Sequence, residues 1–415
     1  MNAAPAIAPE PDAPEIQGLS TLAHLVYGGA PQDAVREALT RRLGKNPADA
    51  GALMDASVLL QLNGNREAGL SVQHAALQHS RVYRRRYGDV AGAKILALMI
   101  AGDFMANTPF DFLLDGSDAE VHLVYVDALG RLPDTIPDHD VCFVAIGESE
   151  ANRPALLSLS AALATWPRPV VNRDVAAIAA LSRDGVSSAF EDSAHVVAPP
   201  VRRFERDRLL GLAGGDPRLD AVFGPAVTWP MIVRPVDSHA GAGLEKIERA
   251  TDLEAYLQGR CEPAFYLSPF VDYSSPDGLF RKLRIAVIDG APFISHLAIS
   301  SHWMVHYLSA GMADCPAKRA EEAGVMADFE AGFASRQALA VADLSARIGL
   351  DYFAIDCAEL PDGRLLLFEA DVAMIVHDLD DGERFGYKRA PMRRLFKAFQ
   401  AALAQRHEAV KAVAA

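Results

Sequence analysis

The sequence predicts an α/β (α+β) chain with a helical N-terminal region, a parallel-sheet domain and a larger hairpin-rich portion. Three observations carry this. Residues 18–90 place apolar side chains at helical spacing; residues 91–198 alternate short apolar runs with helical stretches; beyond residue 199 strands come in pairs joined by turn formers. A chain of 415 residues, half of them hydrophobic, can bury a sizeable core in two or three domains.

Residues 1–17, MNAAPAIAPEPDAPEIQ, lack the basic start and apolar core of a signal peptide. Their Ala/Pro composition reads as a disordered leader. Pro31, Ala34, Val35, Ala38, Leu39 and Leu43 then fit one helix, stopped at Gly44 and Pro47. Residues 48–62 and 65–79 give two more, divided by Asn63-Gly64, with small Ala56, Ala68 and Ala75 allowing close packing. The pair resembles a tetratricopeptide-like helix hairpin, although a free array of such repeats needs at least three. Packing on the body is the expectation and docking of a protein partner the alternative. The basic run RVYRRR (81–86) reads as a solvated helix end.

From 91 to 198 the strands are expected at 95–102, 121–127, 141–147 and 168–172, buried on both faces as in a parallel sheet. Ligands of such sheets sit at strand ends, so loops 103–108 and 147–152 are candidate substrate contacts. No G-x-G-x-x-G is present, which leaves a dinucleotide site unsupported.

The portion from 199 to 405 carries the chemistry. In WPMIVRPVDSHAGAGLEKI (229–247) a short strand bears Arg234, and a Gly-containing loop with Ser238, Gly241 and Gly243 follows. Such loops let backbone N–H groups approach phosphate oxygens. AFYLSPFVDY (264–273) is a strand that breaks at Ser268-Pro269. LFRKLRIAVIDGAPFISHLAIS (279–300) places Arg284 on an apolar strand, with a hairpin at Asp289-Gly290. In DYFAIDCAELPDGRLLLFEAD (351–371) two strands flank Pro361-Asp362-Gly363. A two-residue loop at Asp362-Gly363 would set Asp356 opposite Glu369, with Asp371 on the same face. Like charges so placed repel, and a hard cation with oxygen ligands, typically Mg²⁺, resolves the conflict. An acidic solvent-facing hairpin is the plainer reading of the same residues.

In this order the segments resemble the ATP-grasp superfamily, in its glutathione-synthetase-like carboxylate–amine ligase branch, over roughly residues 101–405. The resemblance implies an ATP-grasp fold (199–405) after a Rossmann-like pre-ATP-grasp domain (91–198), with 406–415 as a C-terminal tail. It implies ATP and Mg²⁺, with phosphates held by Arg234 and by Arg183 in VVNRDVAAIAALSRDG, beside Ser238, Gly241 and Gly243. The adenine hinge would be Tyr266, Ser268, Phe270 and Asp272, the last toward the ribose. Arg284 would stabilise the acyl phosphate and the oxyanion, and Asp356, Glu369 and Asp371 would hold the metal. The chain departs from the family pattern with Arg for Lys at 183 and 234, Lys282 where Asp precedes the catalytic Arg, and Asp371 for Asn. Arg keeps the charge in a wider bidentate fork, and Asp keeps an oxygen ligand.

The implied activity is ATP-dependent joining of a carboxylate to an amine, releasing ADP and phosphate. A phosphotransferase on the same fold and a nucleotide-binding scaffold with a helical docking module are the alternatives. A net charge of −14 argues against nucleic-acid or anionic-membrane partners. Four separated cysteines with no CxxC fit a reducing cytoplasm, and no apolar run reaches membrane-spanning length. Small-molecule substrates are the expected partners, with a homodimer also open. His302 and His306, four apart, would share a helix face that lines the acceptor pocket or packs beside it.

Overall fold

Apolar runs bounded by turn formers become strands throughout the chain, in a mixed α/β architecture of several sheets. The computed structural model describes residues 5–8, 13–90, 92–215, 218–238 and 241–414, side chains of 409–414 excepted. The leader departs from expectation in its described part: β1 (Ala6–Ala8) pairs in parallel with Thr135–Pro137, and Glu15 bridges Arg84. Ile7 packs against the main core, so one apolar side chain and free backbone groups suffice to add an edge strand.

Helices α1 (Gly18–Tyr27), α2 (Asp33–Lys45), α3 (Ala50–Leu62) and α4 (Arg66–His79) follow. Asp49 caps α3 by accepting from the Ala52 N–H at 3.0 Å. α3 and α4 approach closely at Gly69, where a Cβ would lie 2.4 Å from Gln61. The helices are not free. Met54 packs with Tyr83 and Tyr125, Leu22 and Ala23 pack with Phe112, and buried Asp55 accepts from the Gln17 N–H at 3.0 Å. Deleting residues 1–80 should therefore expose this apolar seam and lower the melting temperature or solubility. A soluble truncation melting at the full-length temperature would contradict that.

The run 81–86 is not a helix end. It forms β2 (Val82–Arg86), antiparallel to the sheet, with Tyr83 and Arg85 buried in strand alternation. The pattern was hidden because one inward position is an arginine, which finds Asp111 as its partner. The sheet domain thus starts at Val82 rather than at 91. With β3 (Lys94–Ile100), β4 (Glu120–Val126), β5 (Thr135–Pro137), β6 (Val141–Val144) and β7 (Val170–Val171), its main sheet has the order β2-β4-β3-β6-β7, parallel apart from β2.

β8 (Val196–Val197) leads out to the last sheet. β9 (Arg202–Glu205), β10 (Met231–Pro235), β11 (Glu245–Ile247) and β12 (Ala264–Pro269) form a small antiparallel sheet, β11-β10-β12-β9. β13 (Phe280–Ile288), β14 (Ala291–Ser300), β15 (Tyr352–Glu359) and β16 (Leu365–Asp371) complete the large sheet, β14-β13-β15-β16-β8. The Asp289-Gly290 hairpin is as expected, with both residues at positive φ, 48° and 80°. Helix Arg389–Ala414 wedges between the parallel and large sheets. Phe399 stands edge-on to Phe143 at 5.5 Å and to Tyr352 at 5.2 Å. No separate tail begins at 406, because the helix continues and Arg406 pairs with Asp351 at 2.8 Å and with Asp289. All four cysteines are free, and among the described residues no helix is long and apolar enough to cross a membrane.

Candidate active site

A cavity of about 350 Å³ lies where the small sheet, the large sheet and the loops of the parallel sheet meet. Residues two apart on a strand share a face. Ile232 and Arg234 on β10, Tyr266 and Ser268 on β12, Lys282 and Arg284 on β13, Asp356 on β15, and Glu369 and Asp371 on β16 thus line it together. The cross-strand pairs Arg234–Tyr266, Ile232–Ser268, Arg284–Asp356 and Asp356–Glu369 set their spacing. The last pair is the expected one, reached by another route. The turn has three residues, closed by Leu360 N–H to Arg364 carbonyl at 2.9 Å, and a bulge beyond Asp356 restores the register.

One end of the cavity is cationic. Arg234 is 8% exposed, donates to Ser238 Oγ at 3.1 Å and to the Ser238 carbonyl, and has no ion-pair partner among the described residues. Burial and the neighbouring Arg183 guanidinium push its pKa down to about 9. Arg183, opening helix Arg183–Ala189, donates to Glu369 at 2.7 Å and to the Phe368 carbonyl at 3.3 Å. Burial opposes ionisation of Glu369, but Arg183 and Arg234 outweigh it and hold the carboxyl below its ordinary value. Arg183 therefore pairs with this carboxylate, while Arg234 acts on it through its charge without contact. Asp237, Gly241 and Gly243, all at positive φ, turn the chain beside them. At Gly243 a Cβ would lie 2.7 Å from Pro235, so the close approach needs glycine. Residues 239–240 of the loop lie outside the described residues.

Next to it, Tyr266, Ser268 and Phe270 line the wall. The Phe270 ring carries the Lys246 ammonium at 4.3 Å and stands edge-on to Trp303 at 5.8 Å. Asp272 does not join them. It is exposed and accepts from the Ser274 N–H at 2.9 Å, the local turn bond an aspartate readily makes.

Asp356, 3% exposed, has both oxygens taken, by Arg284 at 2.8 and 3.1 Å and by Lys282 at 2.8 Å. Burial opposes its ionisation, yet Arg284 and Lys282 hold it far below the usual carboxylate range. Among the described residues, the group of three side chains with ligating atoms within 4.8 Å of one another is His24, Asp115 and Asp378, none of which lines this cavity. Asp356, Glu369 and Asp371 line one cavity as expected of their strand positions, with Asp356 held there by Arg284 and by Lys282, two residues before it. Arg284 also donates to the Ile375 carbonyl at 3.0 Å.

Asp371 accepts from the Ala373 N–H at 3.0 Å, and burial with the nearby Glu369 pushes its pKa up to about 7. Glu148 is pushed up to about 8 by burial, Asp371 and Asp237, against which Arg153 at 3.5 Å is a partial offset. Glu148 was not singled out from the sequence, though its loop 147–152 was, and Met105 of loop 103–108 reaches the same cavity. Asp371, Glu148 and Glu369 are hard oxygen donors, and for the first two the chain supplies little positive charge. They line the cavity together with Asp356, and oxygen donors of this kind are the ligands a hard divalent cation takes.

These shifts have a pH consequence. Both folded-state pKa values lie above those of the unfolded chain, so the folded protein binds more protons between about pH 4 and 8. The stability of the metal-free protein should fall as pH rises through that window. Glu148→Gln should flatten the fall, measured by urea melts from pH 5 to 8.5; an unchanged slope would contradict this.

The segment 301–306 is not helical. The Trp303 carbonyl accepts from Tyr273 Oη at 2.6 Å and only Tyr307–Ser309 coils, so His302 and His306 share no helix face. His306 lines the cavity; His302 is exposed and accepts from the Met304 N–H at 3.2 Å. Buried Asn172, at φ 55°, instead ties the parallel sheet to Tyr352 through its N–H and carbonyl at 2.9 and 2.8 Å.

No family model and no curated protein matches the sequence. Solved structures are similar at low identity. A RimK domain protein ATP-grasp from Sphaerobacter thermophilus DSM 20745 is 16% identical, covering 74% of this chain and 98% of its own, with a TM-score of 0.40. The D-alanine-D-alanine ligase from Coxiella burnetii is 12% identical, covering 78% and 98%, with a TM-score of 0.46. VanG D-Ala:D-Ser ligase from Enterococcus faecalis is 10% identical, covering 75% and 99%, with a TM-score of 0.45. The functional reading rests on the cavity itself.

Proposed function

We propose that the protein is an ATP-dependent ligase of the ATP-grasp kind, which activates a carboxylate as an acyl phosphate and joins it to an amine. The observation that carries this is buried Arg234, with no ion-pair partner among the described residues, next to half-buried Arg183, which pairs with Glu369, beside a glycine turn. A buried excess of cation is costly unless an anion completes it, and planar guanidiniums suit phosphate. The wall of Tyr266, Ser268 and Phe270 adjoins that site, where an adenine would lie. Arg284, fixed by Asp356 and the Ile375 carbonyl, presents charge toward the cavity where an acyl phosphate and an oxyanion would form. Glu148, Glu369 and Asp371 would hold Mg²⁺, which when bound neutralises phosphate charge.

Incubating the protein with ATP, Mg²⁺ and pools of amino acids tests the reading. ADP with a new amide mass is the expected result. ADP with a stable phosphorylated product would replace ligation by phosphotransfer, and AMP would contradict both.

A further inference from the structure

His306 sits on the non-helical stretch between β14 and the Tyr307–Ser309 turn, half-buried and lining the cavity. Its imidazole has no hydrogen-bond or ring partner among the described residues. The neighbouring histidines are engaged: His296 packs on Tyr307 at 4.3 Å, and His302 accepts from Met304. The cavity's carboxylates are engaged as well, Asp237 by the Glu150 N–H at 3.2 and 3.3 Å. Asp356 is closed by Lys282 and Arg284, and one oxygen of Glu369 is taken by Arg183 while the residue is assigned above to a cation. Asp371 and Glu148 are the other donors assigned above to a cation.

We infer that His306 is the general base that takes the proton from the attacking amine. This rests on the ligase reading, which requires a neutral amine where free amines are largely protonated. The charged groups facing His306 are Lys282 and Arg284 from β13 and Asp356 from β15. Burial and the two cations hold its pKa below the ordinary histidine value, so at pH 7 the imidazole is neutral and carries an open acceptor nitrogen. In the step, an ammonium N–H proton passes to His306 and the freed nitrogen pair forms the C–N bond at the acyl carbon. The carbon–oxygen bond to phosphate then breaks, and phosphate leaves with that electron pair and the second nitrogen proton.

The test compares two nucleophiles on full-length wild type and on His306→Gln and His306→Ala, with ATP, Mg²⁺ and the amino-acid pool as carboxylate. Hydroxylamine is largely unprotonated at pH 7 and needs no base. Amide formation should fall on the order of 10²- to 10⁴-fold in both variants, while hydroxamate formation stays near the wild-type rate. The residual amide rate of the variants should climb with pH as free amine accumulates. Equal losses with both nucleophiles, or no loss of amide formation, would overturn the role of His306 alone. A wild type that forms neither amide nor hydroxamate would overturn the ligase reading beneath it.

Discussion

Asp356→Ala should destabilise the protein by about 3–5 kcal/mol, the range for breaking a buried ion pair from one side. The carboxylate lies between Lys282 and Arg284, both largely buried, and satisfies three of their N–H groups. Its removal strands two cations in the large sheet. Asp356→Asn should recover little, since an amide keeps one acceptor oxygen and no charge. Denaturant unfolding of the three proteins checks this; a loss below about 1 kcal/mol for the alanine variant would show that the cations find other partners.

Glu369→Gln should separate binding from turnover. Glu369 is the anion paired with Arg183 and held ionised by the charges of Arg183 and Arg234. Without its charge the two guanidiniums attract phosphate more strongly, so the Kd for ATP should stay equal or tighten. Turnover should fall by about 10²- to 10³-fold, the scale for losing one positioned electrostatic group. The Arg183 hydrogen bond also weakens, at a stability cost of about 1.5–3 kcal/mol for a charged partner. Calorimetry with ATP beside steady-state ADP release tests the split. Full turnover, or ATP binding weakened tenfold, would contradict the assignment.

Much of this site was legible because strand alternation and turn chemistry are local rules. Arg234 beside its glycine turn and Asp356 opposite Glu369 follow from periodicity and hairpin signals alone, whereas Arg284 opposite Asp356 joins strands about 70 residues apart and does not. The bulge that preserved the Asp356–Glu369 pair was not readable, since it compensates a turn one residue longer than expected. Side-chain choice among competing partners was equally hidden. Nothing local says that Asp356 turns to Lys282 and Arg284, that Asp272 turns to its own backbone, or that Glu148 arrives from another sheet. The strand at 82–86 was missed because a buried arginine imitates a solvated one until Asp111, 26 residues on, is in place.

The central claim is that the Arg183–Arg234 pair binds the phosphates of ATP, and calorimetry of ATP with Mg²⁺ on wild type and Arg234→Ala tests it most directly. The account predicts binding by wild type and a loss of about 1.5–3 kcal/mol in the variant, roughly 10- to 150-fold in Kd, with Arg234→Lys losing less. An unchanged Kd for Arg234→Ala, or no ATP binding by the wild-type protein, would contradict it.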